Sequence, residues 1–392
     1  MFNVLPLPEN PEKSSKEKAW SADPIITSNE PFASTKKISN DVPISRSMKI
    51  ILMWNEWNSM MAEPFSKIQC PKTSCIFTSD VSMIHQSDVV VLHFDTLNDF
   101  PVNRQAHQRF VFYHLESPEN TASVLMDDRR FRFDYFNWTM TYRRDSDIFL
   151  RDYYGSIVSK VPTNGSNRDH RYKYDTAGKR NHSNNILEET REATSKFSKK
   201  SLVELIRRKS KMIMWLVGNC FTTIRREEYV RKLSKYVDID IFGKCTQNCP
   251  SNCDEMIRNN YKFYLAFENS WCPDYITEKF SRPLLYDAIP IVLGGADYKY
   301  FAPPNSYINA RDFSSPKDLA EYLIMLNSTD ELYAGYFSWK NEYYLSVPDM
   351  YGWCELCMKA HDSNLPSKIY HDIKKWWMVD GGKCEFDTTN LF

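Results

Sequence analysis

No stretch of this 392-residue chain offers the ~18 consecutive apolar residues of a membrane-crossing helix. The opening residues, MFNVLPLPENPEK, lack the basic start and sustained apolar core of a secretory signal peptide. An excess of one charge is missing too: 50 basic residues stand against 50 acidic ones, which gives no general attraction to nucleic acid or acidic lipid. No G-x-G-x-x-G follows a strand-like run and no G-x-x-x-x-G-K-[ST] occurs, which disfavours dinucleotide oxidoreductases and P-loop kinases. H-E-x-x-H and G-x-S-x-G are absent as well, which disfavours zinc proteases and serine hydrolases of the usual pattern. There is no internal repeat.

What is present centres on residues 261–295, YKFYLAFENSWCPDYITEKFSRPLLYDAIPIVLGG. A buried-type strand over Tyr261 to Phe267 is followed by a polar turn, a helix entered near Asp274, and a second apolar run from Ile289 to Leu293. Strand, turn, helix, strand is the unit of a parallel α/β sheet, which binds ligands at the carboxyl ends of its strands. Glu268 and Asn269 fall there, with Glu278 and Lys279 in the first turns of the helix. A helix start offers free amides and partial positive charge to an anion, and Lys279 adds a full charge. A carboxylate beside that lysine suits a vicinal diol such as ribose. The residues suggest a nucleotide diphosphate site.

Along the rest of the chain, residues 1–46 have the composition of a disordered, stem-like segment. A first α/β domain is expected over 47–205, with strands in KIILMWN, CIFTSD, DVVVLHF and RFVFYHLES. Alternation in the last places Phe110, Phe112, His114 and Glu116 on one face, Glu116 at the carboxyl end. Residues 155–200 are polar and read as a long surface loop or linker. A second domain is expected over 206–345, with strands at 212–219 and 237–243, a helix from Arg225 to Tyr236, and another starting at Ser315-Pro316. The aromatic segment 346–392 reads as packed.

Two Asp-x-Asp triplets, of the kind that hold a divalent ion against a diphosphate, start at Asp145 and Asp238. The second lies inside a strand of alternating pattern and the first follows two arginines, so exposed or paired carboxylates are the preferred reading, and no metal site is assigned. A departing diphosphate then needs protein cations, with Lys279, Arg226 and Arg225 as candidates. Glu116 could take a proton from an attacking hydroxyl, although a lone glutamate after a strand is more often a cap or an ion-pair partner. Ten cysteines permit full pairing; Cys70, Cys75, Cys354 and Cys357 have the spacing of a zinc site or of two disulfides. Cys220, Cys245, Cys249, Cys253, Cys272 and Cys384 are left unassigned. Sequons at Asn137, Asn164, Asn181 and Asn327 lean towards a secretory lumen.

FENS, DYITEK and IPIVLGG on the donor side, with RFVFYHLESPEN and FNWTMTYRRDSD earlier, make residues 47–360 resemble the α1,3-fucosyltransferases. FGKC, GNC and APPNSYINARDFSSPKDLAEYL look closest to the core type of invertebrates and plants. The resemblance implies a GT-B architecture, two Rossmann-like domains facing across a cleft, with GDP-fucose on the second. It implies Glu116 as general base, Arg226 and Lys279 at the diphosphate, Glu278 at the ribose, Tyr275 on the pocket wall, and Asn269 as a further donor-site candidate. The C-terminal C-x-x-C would tie 346–392 back to the early cysteine pair. The acceptor would be an N-glycan GlcNAc, by preference the core residue. The setting would be the Golgi lumen, with a membrane anchor not contained in this sequence. No cofactor beyond the donor substrate is expected, a divalent ion at most stimulating transfer. An antenna (Lewis-type) enzyme, a transferase using another nucleotide sugar, and a non-catalytic glycan-binding descendant are the alternatives.

Overall fold

The structure, a computed structural model, describes residues 48–55, 74–160 apart from 98, 103 and 151–153, 199–346 and 351–384. The stem-like segment 1–46 and most of the 155–200 loop lie outside these residues.

Two all-parallel sheets organise the chain. The first runs β2-β1-β3-β4-β5-β6, with β1 Lys49–Met53, β2 Cys75–Thr78, β3 Val89–His93, β4 Arg109–His114, β5 Trp138–Thr141 and β6 Ile148–Phe149. Parallel sheets are covered on both faces, so their strands read as continuous apolar runs, and β3 is buried at every position. On β4, Phe110 and Phe112 enter the core on one face while Val111 and Tyr113 enter the core on the other. The strand ends at His114, which leaves Glu116 and Ser117 just beyond the carboxyl edge. The aromatic-then-charged stretch 134–150, given no strand from sequence, contributes β5 and β6.

The second sheet runs β12-β11-β10-β8-β9, with β8 Lys211–Leu216, β9 Ile239–Phe242, β10 Tyr261–Phe267, β11 Ile289–Leu293 and β12 Ile308–Asn309. Its central strand β10 is buried throughout. Phe263, Leu265 and Phe267 pack on one side, Tyr264 and Ala266 on the other. The helix Pro316–Ser328 starts as expected: the Ser315 side chain accepts from the Asp318 amide, and Leu319, Leu323 and Leu326 are buried.

Two expectations change. The helix expected near Asp274 begins at Glu278 and runs to Leu285, because Asp274 adopts a left-handed φ of 62° and Thr277 supplies the N-cap. Pro283 still falls inside that helix, removing one intrahelical bond. The expected loop 155–200 opens instead with a strand, β7 Ser156–Ser159, paired antiparallel to β13 Tyr343–Ser346. Its partner lies far away in sequence, so no local pattern announces it.

The tail lies against the first sheet. Trp353, Leu356 and Cys357 of the helix Tyr351–His361 join Val91, Val111 and Tyr113; Ile373 and Trp377 of the helix Ile373–Met378 join Phe112. A Cys75–Cys357 disulfide fastens the first helix. Cys354 is also disulfide-bonded, and Cys70, the remaining cysteine of the expected set of four, lies outside the described residues. The open set resolves as Cys220–Cys245, Cys249–Cys253 and Cys272–Cys384. The third bond joins the loop after β10 to the tail.

Candidate active site

The site is built where the carboxyl ends of β10 and β4 meet. β10 delivers Glu268, which is fully buried. Its carboxylate accepts from the Thr277 amide at 2.9 Å and the Thr277 hydroxyl, and lies 3.3 Å from the Lys279 ammonium. Burial pushes the Glu268 pKa up against the pull of Lys279. Lys279 also donates to Thr277 Oγ1 at 2.8 Å and Glu278 Oε1 at 3.2 Å. Burial alone would depress its pKa, but Glu268 and Glu278 hold it above the ordinary lysine value. Burial would likewise raise Glu278, and there Lys279 and the hydrogen bonds prevail, leaving its pKa lowered. Gly294 and Gly295 let this loop pack: a Cβ at Gly294 would stand 3.3 Å from Glu268 Cγ, and one at Gly295 would stand 2.8 Å from the Cys272 carbonyl oxygen.

Arg226 opens the helix Arg226–Leu233 and is 2% exposed. Its Nη1 donates to the Phe267 carbonyl at 2.5 Å and its Nη2 to the Asn219 carbonyl at 3.1 Å. Its Nε is buried with no acceptor among the described residues. Burial lowers its pKa, with Glu268 opposing. An arginine pinned by backbone carbonyls, with a donor left over, is suited to an anionic ligand. Arg225 differs: it is exposed and paired with Glu228 on its own helix, which is the ordinary solvated-face role. Asn269 keeps a buried Oδ1 with no partner among the described residues.

The first sheet supplies the acid. Glu116 Oε1 accepts from the Ser117 amide at 2.7 Å and from the hydroxyl of buried Tyr275 at 2.5 Å, across the two sheets. Ser117 Oγ meets Ser270 Oγ at 2.7 Å, and Asn120 Nδ2 donates to Ser270 Oγ at 3.0 Å. Tyr275 and Cys272 pack into the first lobe's core beside Phe112 and Trp377. The charge of Glu116 bears on Lys279. A carboxylate at one lip and two fixed cations at the other can deprotonate a nucleophile while neutralising a departing anion.

Other sequence candidates lie elsewhere. Asn137 is 4% exposed; its Nδ2, the atom a glycan would need, donates to the Lys368 carbonyl at 2.8 Å, and its Oδ1 accepts from the Phe110 amide at 2.8 Å. In the folded chain it is an internal brace, which corrects its reading as a glycosylation candidate. Asn327 is half-buried in the helix Pro316–Ser328; Asn164 and Asn181 lie outside the described residues. Asp240 pairs with Lys211 and Tyr261, Asp145 with Arg143, and Asp147 with Lys368 and Tyr370, so these acids are spent on protein partners. Cys75 and Cys357, grouped with His361, are in a disulfide and offer no thiolate, which removes the zinc reading there. Sequence reasoning placed Glu268 at the strand end but gave it no role of its own, although an acid directly after a strand that is apolar but for Lys262 was the available signal.

The family pattern "Glycosyltransferase family 10 (fucosyltransferase) C-term" matches residues 206–376, and "Fucosyltransferase, N-terminal" matches 46–154. The chain belongs to glycosyltransferase family 10. As a family 10 member it is an enzyme of the fucosyltransferase class. It is 32% identical over 356 residues to alpha-(1,3)-fucosyltransferase C of Drosophila melanogaster, covering 85% of this chain and 78% of that relative. It is 33% identical over 361 residues to glycoprotein 3-alpha-L-fucosyltransferase A of the same fly, covering 87% and 62% respectively. Alpha-(1,3)-fucosyltransferase 7 of Rattus norvegicus matches at 30% over 362 residues, covering 88% and 84%. A crystal structure of an alpha1,3-fucosyltransferase with GDP-fucose shares the fold at a TM-score of 0.50 and 16% identity, covering 86% of this chain and 96% of that one.

Proposed function

We propose that this family 10 enzyme transfers fucose from GDP-fucose to the 3-hydroxyl of a GlcNAc in N-glycans, with inversion, by preference at the core GlcNAc. The observation that carries the reading is Glu116 held by Tyr275 and Ser117 between the two sheets, close enough to Lys279, as Arg226 also is, for their charges to bear on its ammonium. In the reaction the acceptor O3 attacks the anomeric carbon of fucose as the bond to the GDP oxygen breaks. Glu116 takes the O3 proton, and the charge left on GDP is met by Arg226 and Lys279. Lys279 already gives its donors to Thr277, Glu268 and Glu278. Diphosphate binding therefore exchanges a partner: Glu278 turns to the ribose diol while buried Glu268 keeps the ammonium in place. Tyr275 lines the pocket beside Glu116, and Asn269 offers its free Oδ1 to the donor. No cofactor beyond the donor is assigned.

Preference for the core acceptor rests on the insect relatives, one of them a glycoprotein fucosyltransferase by name, and on the cysteine-rich stretch after β9, which forms Cys220–Cys245 and Cys249–Cys253. The antenna reading is favoured by matches such as the human 4-galactosyl-N-acetylglucosaminide 3-alpha-L-fucosyltransferase, 31% identical over 343 residues. GDP release measured with core and antenna glycans side by side decides between them, and turnover on neither supports the glycan-binding alternative. Comparing GDP-fucose with GDP-mannose by thermal shift tests the donor. Every described cysteine is in a disulfide, which supports an oxidising secretory compartment such as the Golgi lumen. No helix among the described residues is long and apolar enough to cross a membrane.

A further inference from the structure

The loop 270–277 belongs by sequence to the second lobe but is fastened to the first. Tyr275 reaches Glu116 from this loop, so its placement sets the placement of the proton acceptor. Immediately before Tyr275, Asp274 sits at φ 62°, a left-handed conformation uncommon for a residue with a side chain. Its carboxylate accepts from the Arg144 amide at 3.1 Å and from Arg144 Nε at 2.6 Å. The Arg144 guanidinium in turn lies 4.6 Å from the centre of the Tyr300 ring. The neighbouring arginine points elsewhere. Arg143 donates to the carbonyls of Trp376, Trp377 and Asp380, and so secures the end of the helix Ile373–Met378. Trp377 from that helix packs on Tyr142, and Tyr142 packs on Tyr275 at 5.0 Å. Of the pair in Y-R-R-D, one arginine holds the tail and the other holds the donor loop.

We propose that Arg144 and Asp274 are positioning residues for fucosyl transfer: their ion pair latches the donor loop to the acceptor-side lobe and so sets the Tyr275 hydroxyl on the Glu116 carboxylate. The proposal rests on Glu116 being the general base. Arg144 is 42% exposed and Asp274 11%, so losing the arginine costs a modest amount of stability, which melting temperature reads apart from kcat. That separates positioning from folding and makes the latch testable.

The test uses the full chain produced with its disulfides intact. Arg144→Ala lowers kcat by roughly 10- to 100-fold, the scale expected when a reacting group is displaced by about an ångström. GDP Kd stays at the wild-type value, because the cations that meet GDP are elsewhere, and the melting temperature falls by no more than a few degrees. Asp274→Asn keeps a residue that tolerates the left-handed backbone but removes the charge, and it reproduces the loss. Arg144→Lys restores part of the rate. The double variant Arg144→Ala/Asp274→Asn is no slower than either single one, as two ends of one contact require. An unchanged kcat in Arg144→Ala overturns the latch, as does a parallel fall in kcat, GDP affinity and melting temperature, which would mark a general structural defect. Glu116→Gln, measured alongside, separates the two levels. If it alone loses turnover, the latch is wrong and the base assignment stands; if it still turns over, the base assignment is wrong and the latch falls with it.

Discussion

The two lobes hold their charged groups by opposite means. In the second lobe Arg226, Glu268 and Lys279 are buried or nearly so, and each is fixed by groups of that same lobe: the Phe267 and Asn219 carbonyls, Thr277, and one another. In the first lobe Glu116 is half-exposed, and its strongest side-chain partner, Tyr275, comes from the other lobe. On the proposed roles, donor binding can therefore be preformed within one sheet, whereas proton abstraction depends on two sheets being brought into register. On the proposed reading, a proton acceptor held by a residue of the other sheet is in place only once the two sheets have packed. That arrangement ties reactivity to the assembled state.

The largest expected break in this comparison is Glu116→Gln. Transfer falls by about 10²- to 10⁴-fold, the usual contribution of a general base, while GDP affinity, read by calorimetry, stays constant. Retained transfer would remove the proton-accepting role. Next comes Glu268→Ala, which removes one of the two ion-pair partners of Lys279 and leaves Glu278 as the other. It should cost roughly 3 kcal/mol of stability in denaturant unfolding and weaken GDP binding too. Loss of GDP affinity with wild-type stability would show that Glu268 meets ligand and not merely lysine. Lys279→Ala should weaken GDP binding by about 2 kcal/mol, within the range for a hydrogen bond to a charged group, and an unchanged Kd would refute the diphosphate assignment. The smallest effect sharpens the contrast between a buried sequon and a real glycan site. Asn137→Gln should cost about 1–3 kcal/mol through the unsatisfied Phe110 amide, with no change in glycan mass by mass spectrometry.

Much of the scaffold was legible because parallel strands are buried on both faces and so announce themselves as continuous apolar runs. Tyr261–Phe267, Ile289–Leu293 and Val89–His93 could be read directly. Ser315-Pro316 marked its helix through capping, a local effect. The start of the helix after β10 was misread because the left-handed turn at Asp274 carries no glycine to signal it. β7 was missed because its pairing partner is distant, and the burial of Asn137 because a sequon encodes recognition by an enzyme and not exposure in the fold.

Sequence by itself determined the chemistry on offer: an acid after β4, an arginine opening one helix, a lysine and a glutamate opening another, and the family pattern that joins them. Those follow from residue type and short-range spacing, which the chain carries whatever its shape. Tertiary structure alone decided which groups face one another: Tyr275 on Glu116, Arg144 on Asp274, Cys272 bonded to Cys384, and Glu268 behind Lys279. The first three of these join residues more than a hundred positions apart and exist only once distant parts of the chain have packed, whereas Glu268 meets Lys279 within the second sheet's own lobe.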